Sequence, residues 1–273
     1  MNGVNSNEQR KETEGLKMKK GSEKEEQQLK NRLRELADKS FRQNLFTFTG
    51  FLGLSEQDIF WKMETELSFA APKLWGGYEG ADRVMVRFGN PEELGYEEAY
   101  EISCIHISPL QEKFSDDFSH RDFLGALMNL GLERSTLGDI RVGHREAYLY
   151  CLSTVAAFIC DNLDQVRHTH VKCRLVEEVG EIPQEEPVRM EIQVASERID
   201  GVLAKVYNQS RSEVISFFQA GKVFVDGRLC ENNSRMLKGG EVINLRGFGK
   251  FVYCGMQRET RKGKLSVSVA IYK

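Results

Sequence analysis

The sequence lacks any apolar run approaching the roughly 18 to 20 residues that cross a bilayer, so we expect no insertion into a membrane. Its first residues are charged and polar, and we therefore expect no secretory signal. The 6 cysteines are scattered, with no C-x-x-C pair and no histidine at short spacing. Because metal clusters and disulfide frameworks need closer, patterned spacing, we expect a cytoplasmic protein with reduced thiols, no metal and no cofactor.

The net charge of -3 conceals a strong asymmetry along the chain. Residues 196–273 hold 14 Lys and Arg against 7 Asp and Glu, whereas residues 41–195 hold 14 against 26. Clustered basic side chains release counterions from a phosphate backbone, so a basic C-terminal third on an acidic body favours a polyanionic partner for that third. The alternative is that solvated surface charge is segregated by chance.

The N-terminal part of the chain has two sections. Residues 1–22 are polar and nearly free of large apolar side chains, which predicts a disordered tail. Residues 23–75 are predicted to form a small helical domain, because Leu29, Leu33 and Leu36 recur at helical spacing. Ser55 and Asp58 are interpreted as a capping box that opens a second helix.

Residues 76–180 are predicted to form an α/β sandwich with helices on one face of a mostly antiparallel sheet. Apolar runs of strand length lie at residues 84–88, 102–107, 147–152 and 171–176. Two helical patterns lie between them, one containing Phe123, Leu127 and Leu130 and ending at Gly131, the other at residues 153–163. The acidic, proline-containing stretch 181–187 is interpreted as a linker. The whole chain is therefore assigned to the α+β class.

Residues 188–273 are predicted to form two helices followed by short strands and tight turns. Ser196 and Ser210 are predicted to cap the two helices, and Gly221 is predicted to end the second. The pair Asp226 and Gly227 between two apolar runs predicts a two-residue hairpin. These elements can bury a core of their own, so we expect this segment to be a separate domain.

Five short motifs in the C-terminal segment occur in a specific order: RIDGVL at 198–203, SRS at 210–212, AGKV at 220–223, VDG at 225–227 and GEVI at 240–243. Together they resemble the S-four (alpha-L) RNA-binding domain. Upstream, FTGFL at 48–52, HRDFLGAL at 120–127 and GDI at 138–140 resemble YlmH-type proteins of Gram-positive bacteria. The resemblance implies a non-catalytic RNA-binding protein that acts on rRNA or ribosome-bound tRNA, as a large-subunit-associated factor in translation or ribosome quality control.

The resemblance places the RNA-binding surface on the helix pair and the hairpin. Arg198 and Lys205 are seven residues apart, which puts them within about 20° of each other on a helix. Arg211 falls in the first turn of the second helix, where free N–H groups and the helix dipole favour a phosphate. Glu213 and Asp226 add negative charge, and ordinary solvated surface charge is the alternative. The predicted RNA-binding residues are Arg198, Lys205, Ser210, Arg211, Ser212, Lys222 and Arg228.

The middle domain offers a second, weaker case for RNA contact. Strand alternation puts His168, His170, Lys172 and Arg174 on one face. Tyr148 and Tyr150 also share a strand face and could stack on unpaired bases, although tyrosines in a sheet are more often core residues. The acidic balance of this domain argues against RNA and leaves a protein-partner surface as an alternative, which would suit a cell-division-associated interaction protein.

Several short runs resemble catalytic motifs but do not support an enzymatic function. The HRDF run at 120–123 has no asparagine four positions on, where a kinase catalytic loop needs one, and no Gly-rich loop precedes it. The triplet Arg198–Asp200 is superficially like the catalytic motif of pseudouridine synthases but lacks the residues that follow it there. His168 and His170 have no third ligand at a recognised metal spacing. An accessory role in RNA modification stays an alternative.

Overall fold

The computed structural model describes residues 5–111, 117–176, 187–260 and 263–272, with side chains described from residue 23. The chain divides into two compact units, Met1–Ile182 and Pro183–Lys273. Most of the predicted linker, residues 181–186, lies outside the described residues. The described residues contain eight α-helices and three antiparallel sheets, which confirms the α+β class.

The helices and strands of the first unit alternate along the chain. Its helices are α1 (Asn5–Gln43), α2 (Leu54–Lys62), α3 (Glu64–Leu67), α4 (Pro91–Leu94), α5 (His120–Asn129) and α6 (Ser153–Asn162). Its strands are β1 (Thr47–Phe48), β2 (Lys73–Trp75), β3 (Met85–Phe88), β4 (Ile102–Pro109), β5 (Leu137–Val142), β6 (Ala147–Leu152), β7 (Gln165–Val166) and β8 (Thr169–Leu175).

The N-terminal region is only partly helical, which differs from the predicted helical domain. A three-stranded sheet in the order β1-β3-β2 packs with α1 and α2, and Leu33, Leu36 and Phe60 are buried between them. Strand β3 was assigned by sequence to the middle domain. Strands β1 and β2 have two and three residues, too few for alternation to reveal them.

Two helix boundaries in this region differ from the sequence predictions. Helix α1 begins at Asn5, within the segment predicted to be disordered, and the Lys, Glu and Gln of that segment are favourable helix formers. Helix α2 has Gly53 as its N-cap in place of Ser55. The Gly53 N–H donates to the Glu56 carboxylate over 2.6 Å, so Glu56 has the capping role that was expected of Asp58.

The second sheet of this unit has five strands in the order β5-β6-β4-β8-β7, with every pair antiparallel. Helices α5 and α6 cover one face, where Phe123, Leu127 and Ile159 meet Ile105 and Leu149 in the core. The predicted sheet with helices on one face is therefore present. Strand β5 was not predicted from the sequence. Within it, Gly138 lies against the Phe51 ring, where an added Cβ would be only 2.7 Å from a ring carbon.

The second unit contains β9 (Val188–Val194), α7 (Ile199–Val206), α8 (Arg211–Gln219), β10 (Val223–Val225), β11 (Arg228–Leu229), β12 (Val242–Leu245), β13 (Gly249–Glu259) and β14 (Leu265–Ile271). Its strands form one sheet in the order β11-β10-β12-β13-β14-β9. Helices α7 and α8 bury Val202, Leu203 and Val214 in a core shared with Phe251 and Tyr253 of β13. This unit thus has a hydrophobic core of its own.

The hairpin turn and one helix cap of the second unit agree with the sequence predictions, whereas the other helix cap does not. Asp226 (φ 49°) and Gly227 (φ 74°) join β10 to β11, with Val225 paired to Arg228, which is the predicted two-residue hairpin. Ser210 caps α8 as predicted. The predicted Ser196 cap is wrong, because α7 begins at Ile199 and Arg198 is its N-cap, with extended dihedrals of -67° and 136°.

Candidate nucleic-acid interface

The start of α7 holds a close ion pair rather than a free cation. The Arg198 guanidinium donates to both Asp200 carboxylate oxygens over 3.1 and 2.8 Å, and the Gly201 N–H donates to one of them over 2.8 Å. Burial raises the pKa of Asp200, but the hydrogen bonds from Arg198 and Gly201 outweigh this effect and hold the pKa below its ordinary value. Arg198 therefore has much of its charge neutralised, and it is the N-cap that directly precedes the helix on which Lys205 lies.

The N-terminus of α8 brings together three of the predicted residues, Ser210, Arg211 and Ser212. The Ser210 N–H and hydroxyl donate to the Glu213 carboxylate over 2.8 and 2.7 Å, and these bonds lower the pKa of Glu213. The Ser212 hydroxyl lies 3.0 Å from that of Ser210. Arg211 is exposed in the first turn, and its charge also helps to lower the pKa of Asp200. Glu213, expected only to weaken the surface, serves here as a capping residue.

The other three predicted residues lie elsewhere on the second unit. Helix α8 is about 13 Å long, and Lys222 follows its C-terminal end while Arg211 begins it. The Lys222 ammonium lies 5.9 Å from the centroid of the Phe217 ring. Arg228 is exposed on β11, and Lys205 is exposed on α7. The predicted set is therefore one group at the start of α8 and separate cations beyond it.

A cluster of aromatic side chains beside Lys222 was not predicted from the sequence. The Phe248 ring lies 5.0 Å from that of Phe217 and 5.6 Å from that of Tyr207, centroid to centroid. Phe248 is 44% exposed in the turn between β12 and β13. Its flanking glycines, Gly247 and Gly249, adopt positive φ angles.

In the first unit, the face of the five-stranded sheet opposite α5 and α6 carries the basic row expected on β8. His170, Lys172 and Arg174 are exposed, whereas Thr169 and Val171 are buried, so the alternation is as predicted. His168 precedes the strand. The pairing register places His106 of β4 opposite Arg174 on one side and opposite Tyr148 on the other.

The two tyrosines of β6 share a face as predicted but are not open stacking platforms. Tyr148 and Tyr150 are only 7% and 4% exposed. The His106 ring stacks on Tyr148 at 4.8 Å, and the Tyr78 ring stacks on Tyr150 at 4.9 Å, so a protein ring already occupies one face of each tyrosine. Burial raises the pKa of Tyr150 to about 12, which keeps its hydroxyl protonated.

The catalytic look-alikes have structural explanations. The Asp122 carboxylate of the HRDF run accepts hydrogen bonds from the Ser119 N–H and hydroxyl, each over 2.8 Å, which makes it a capping residue of α5. Within the described ranges, no three His, Cys, Asp or Glu side chains lie close enough together to hold a metal ion. No helix among the described residues is long and apolar enough to span a membrane.

The fold and its surfaces define an α+β protein with exposed basic groups on both units, a class suited to a polyanionic partner. Comparison with known proteins shows what the chain is similar to. Residues 96–179 match the family described as "Putative RNA-binding domain in YlmH". The chain is 27% identical over 201 residues to the "Ribosome-associated protein quality control protein P2" of Bacillus subtilis (strain 168), covering 71% of this chain and 75% of that protein. The resemblance to YlmH-type proteins is thus confirmed, with the family match confined to residues 96–179.

A solved structure titled "Cell division protein ylmH from Streptococcus pneumoniae" is also similar, with 20% identity and a TM-score of 0.46. The similarity covers 58% of this chain and 95% of that one. The family match falls on the five-stranded sheet and its helices, not on the second unit where sequence placed the main RNA-binding residues. The assignment of the α8 group to RNA stays a prediction.

Proposed function

We propose that this protein binds ribosomal RNA or ribosome-bound tRNA, without catalysing a reaction, as a large-subunit-associated factor in translation or ribosome quality control. The observation that carries the proposal is the match of residues 96–179 to an RNA-binding domain, within which β8 exposes His170, Lys172 and Arg174 in a row. The name of the Bacillus subtilis relative supports the ribosomal setting.

The electrostatics of the two units favour a large folded RNA over a short one. Each surface offers only a few cations, and acidic side chains reduce the net attraction, as Asp200 does for Arg198. Two weak surfaces on one chain bind more strongly when both find sites on the same particle, because the second contact is then intramolecular. A ribosomal subunit supplies RNA backbone to both units, which is why we favour it over free tRNA.

Crosslinking the protein to RNA in growing cells and sequencing the attached RNA tests this proposal. We expect reads concentrated in a few segments of large-subunit rRNA or in tRNA, because phosphate contacts alone would spread the reads over all abundant RNA. A Lys172→Glu, Arg174→Glu variant should lose part of this signal. Reads scattered over messenger RNA, or capture of a protein partner that survives nuclease treatment without any RNA, would contradict the proposal.

A further inference from the structure

A cavity of about 840 Å³ lies between the two sheets of the first unit. This volume is in the range of small-molecule and nucleotide sites and is too small for a duplex. Part of its lining comes from the three-stranded sheet and part from the strands of the RNA-binding domain. The lining residues that matter here are Lys73, Trp75, Arg87, Tyr100, Tyr150 and Val176.

Three aromatic side chains line this cavity, and two of them are held in place. The Tyr100 hydroxyl donates to the Lys73 carbonyl over 2.7 Å, and Tyr150 is fixed by its stacking on Tyr78. Trp75 is 41% exposed, which makes it accessible to an entering ligand. Fixed aromatic rings with one accessible indole are suited to a flat ring, because stacking loses little side-chain entropy.

Arg87 supplies a polar group that its protein neighbours do not fully satisfy. Its side chain is 3% exposed, and its guanidinium lies over the rings of Phe46 and Tyr100 at 4.7 and 5.5 Å. One terminal nitrogen donates to the Glu98 carbonyl over 2.7 Å and to the Glu97 carboxylate over 3.4 Å. The Nε atom has no hydrogen-bond partner among the described residues. Buried polar groups are normally paired, so a buried donor of this kind calls for an acceptor.

The strand that reaches the cavity also carries the exposed basic row. Side chains two residues apart in a strand share a face, about 6.6 Å from one another. His170, Lys172 and Arg174 therefore lie on the same face as Val176, which lines the cavity. Lys73 adds an exposed cation from the three-stranded sheet, and Glu97 provides an acceptor for ring N–H groups.

We propose that this cavity binds an unpaired nucleobase of single-stranded RNA, with the adjoining RNA backbone following the exposed face of β8. The base stacks against Trp75, beside the Arg87 guanidinium that lines the cavity. The proposal rests on the proposed function and extends it to a site that residues 96–179 cannot form alone, since Lys73, Trp75 and Arg87 lie outside that range.

Binding of fluorescent oligoribonucleotides to the full-length protein tests the site. We expect Trp75→Ala to weaken the binding of a short single-stranded oligonucleotide about tenfold or more, because one base–aromatic stack is lost. Trp75→Phe should retain most of the affinity. The matched control is Phe158→Ala, which removes another exposed aromatic, 45% exposed on α6, and should change the affinity less than twofold. Binding of a duplex should not respond to Trp75→Ala.

A 4-thiouridine-containing oligonucleotide, crosslinked to the unmodified protein, gives an answer that needs no variant. We expect crosslinked peptides that contain Trp75, Tyr100 or Tyr150. Crosslinks confined to Pro183–Lys273, or equal affinity of Trp75→Ala and wild type, would overturn the base site while leaving the proposed function intact if ribosomes are still bound. Binding of free nucleoside monophosphates as tightly as the oligonucleotide would identify a nucleotide ligand and overturn the RNA assignment. Failure to bind either RNA or ribosomes would overturn the proposed function itself.

Discussion

Replacing Arg211 with glutamate is expected to lower the affinity of the full-length protein for ribosomal RNA about tenfold or more, with almost no change in Tm. The side chain is exposed in the first turn of α8, where the capping bonds are made by Ser210 and Glu213 and not by Arg211 itself. An acidic residue suits a helix N-terminus, so the fold should tolerate it. The same charge repels a phosphate, and the slope of log affinity against log salt should fall by about 1 or more.

A charge-matched control separates a local contact from the change in net charge. Arg258→Glu makes the same change in net charge at an exposed position on β13. The Arg258 guanidinium lies 3.5 Å from the Glu191 carboxylate. We expect its effect on affinity to be several-fold smaller than that of Arg211→Glu at the same salt concentration. Equal effects of the two variants, or unfolding of Arg211→Glu, would show that the RNA-binding face has been placed wrongly.

Asp139→Ala is expected to destabilise the first unit by about 3 kcal/mol or more. The carboxylate is buried at 8% exposure and accepts hydrogen bonds from the Tyr78 hydroxyl over 2.8 Å and from the N–H groups of Asp82 and Arg83 over 2.7 and 3.0 Å. Alanine leaves these donors without that acceptor in a partly buried position. Because Tyr78 stacks on Tyr150, the loss should also loosen one wall of the cavity.

Urea unfolding followed by circular dichroism measures this effect. Tyr78→Phe removes only one of the three donors and should cost about 1 kcal/mol. Asp117→Ala is the control, because that carboxylate is 86% exposed and lies 3.5 Å from Arg145, so its effect should stay within about 0.5 kcal/mol. If Asp139→Ala unfolds at the same urea concentration as wild type, the proposed role of Asp139 is wrong.

Long elements with regular patterns could be predicted from the sequence, and short or irregular ones could not. Strands β4, β6 and β8 alternate or run apolar for six residues or more, and they were placed nearly to the residue. Strands β1 and β2 have too few residues to show a period, and β5 contains a glycine and a register shift, so its pattern is broken. The hairpin at Asp226 was predicted because its turn requires positive φ angles at both positions.

The candidate sites were predicted less completely because pairing and burial depend on tertiary contacts. Arg198 was expected to form a basic edge with Lys205, and sequence spacing could not indicate that Asp200, two residues on, would pair with it at the start of α7. Tyr148 and Tyr150 were correctly placed on one face, but their burial depends on His106 and Tyr78, which are distant in sequence. The residues that line the cavity come from five separate stretches of chain, so no local sequence motif indicates it.

Sedimentation of a cell lysate through a sucrose gradient at low and high salt tests the central claim most directly. We expect the protein to migrate with ribosomes, mainly with the large subunit, at low salt and to move to the top of the gradient at high salt, because the contacts are to phosphates. The Arg211→Glu variant should leave the ribosomes at a lower salt concentration than wild type. Wild-type protein at the top of the gradient under low salt, with the variant behaving identically, would contradict the account and favour a protein partner for the acidic first unit.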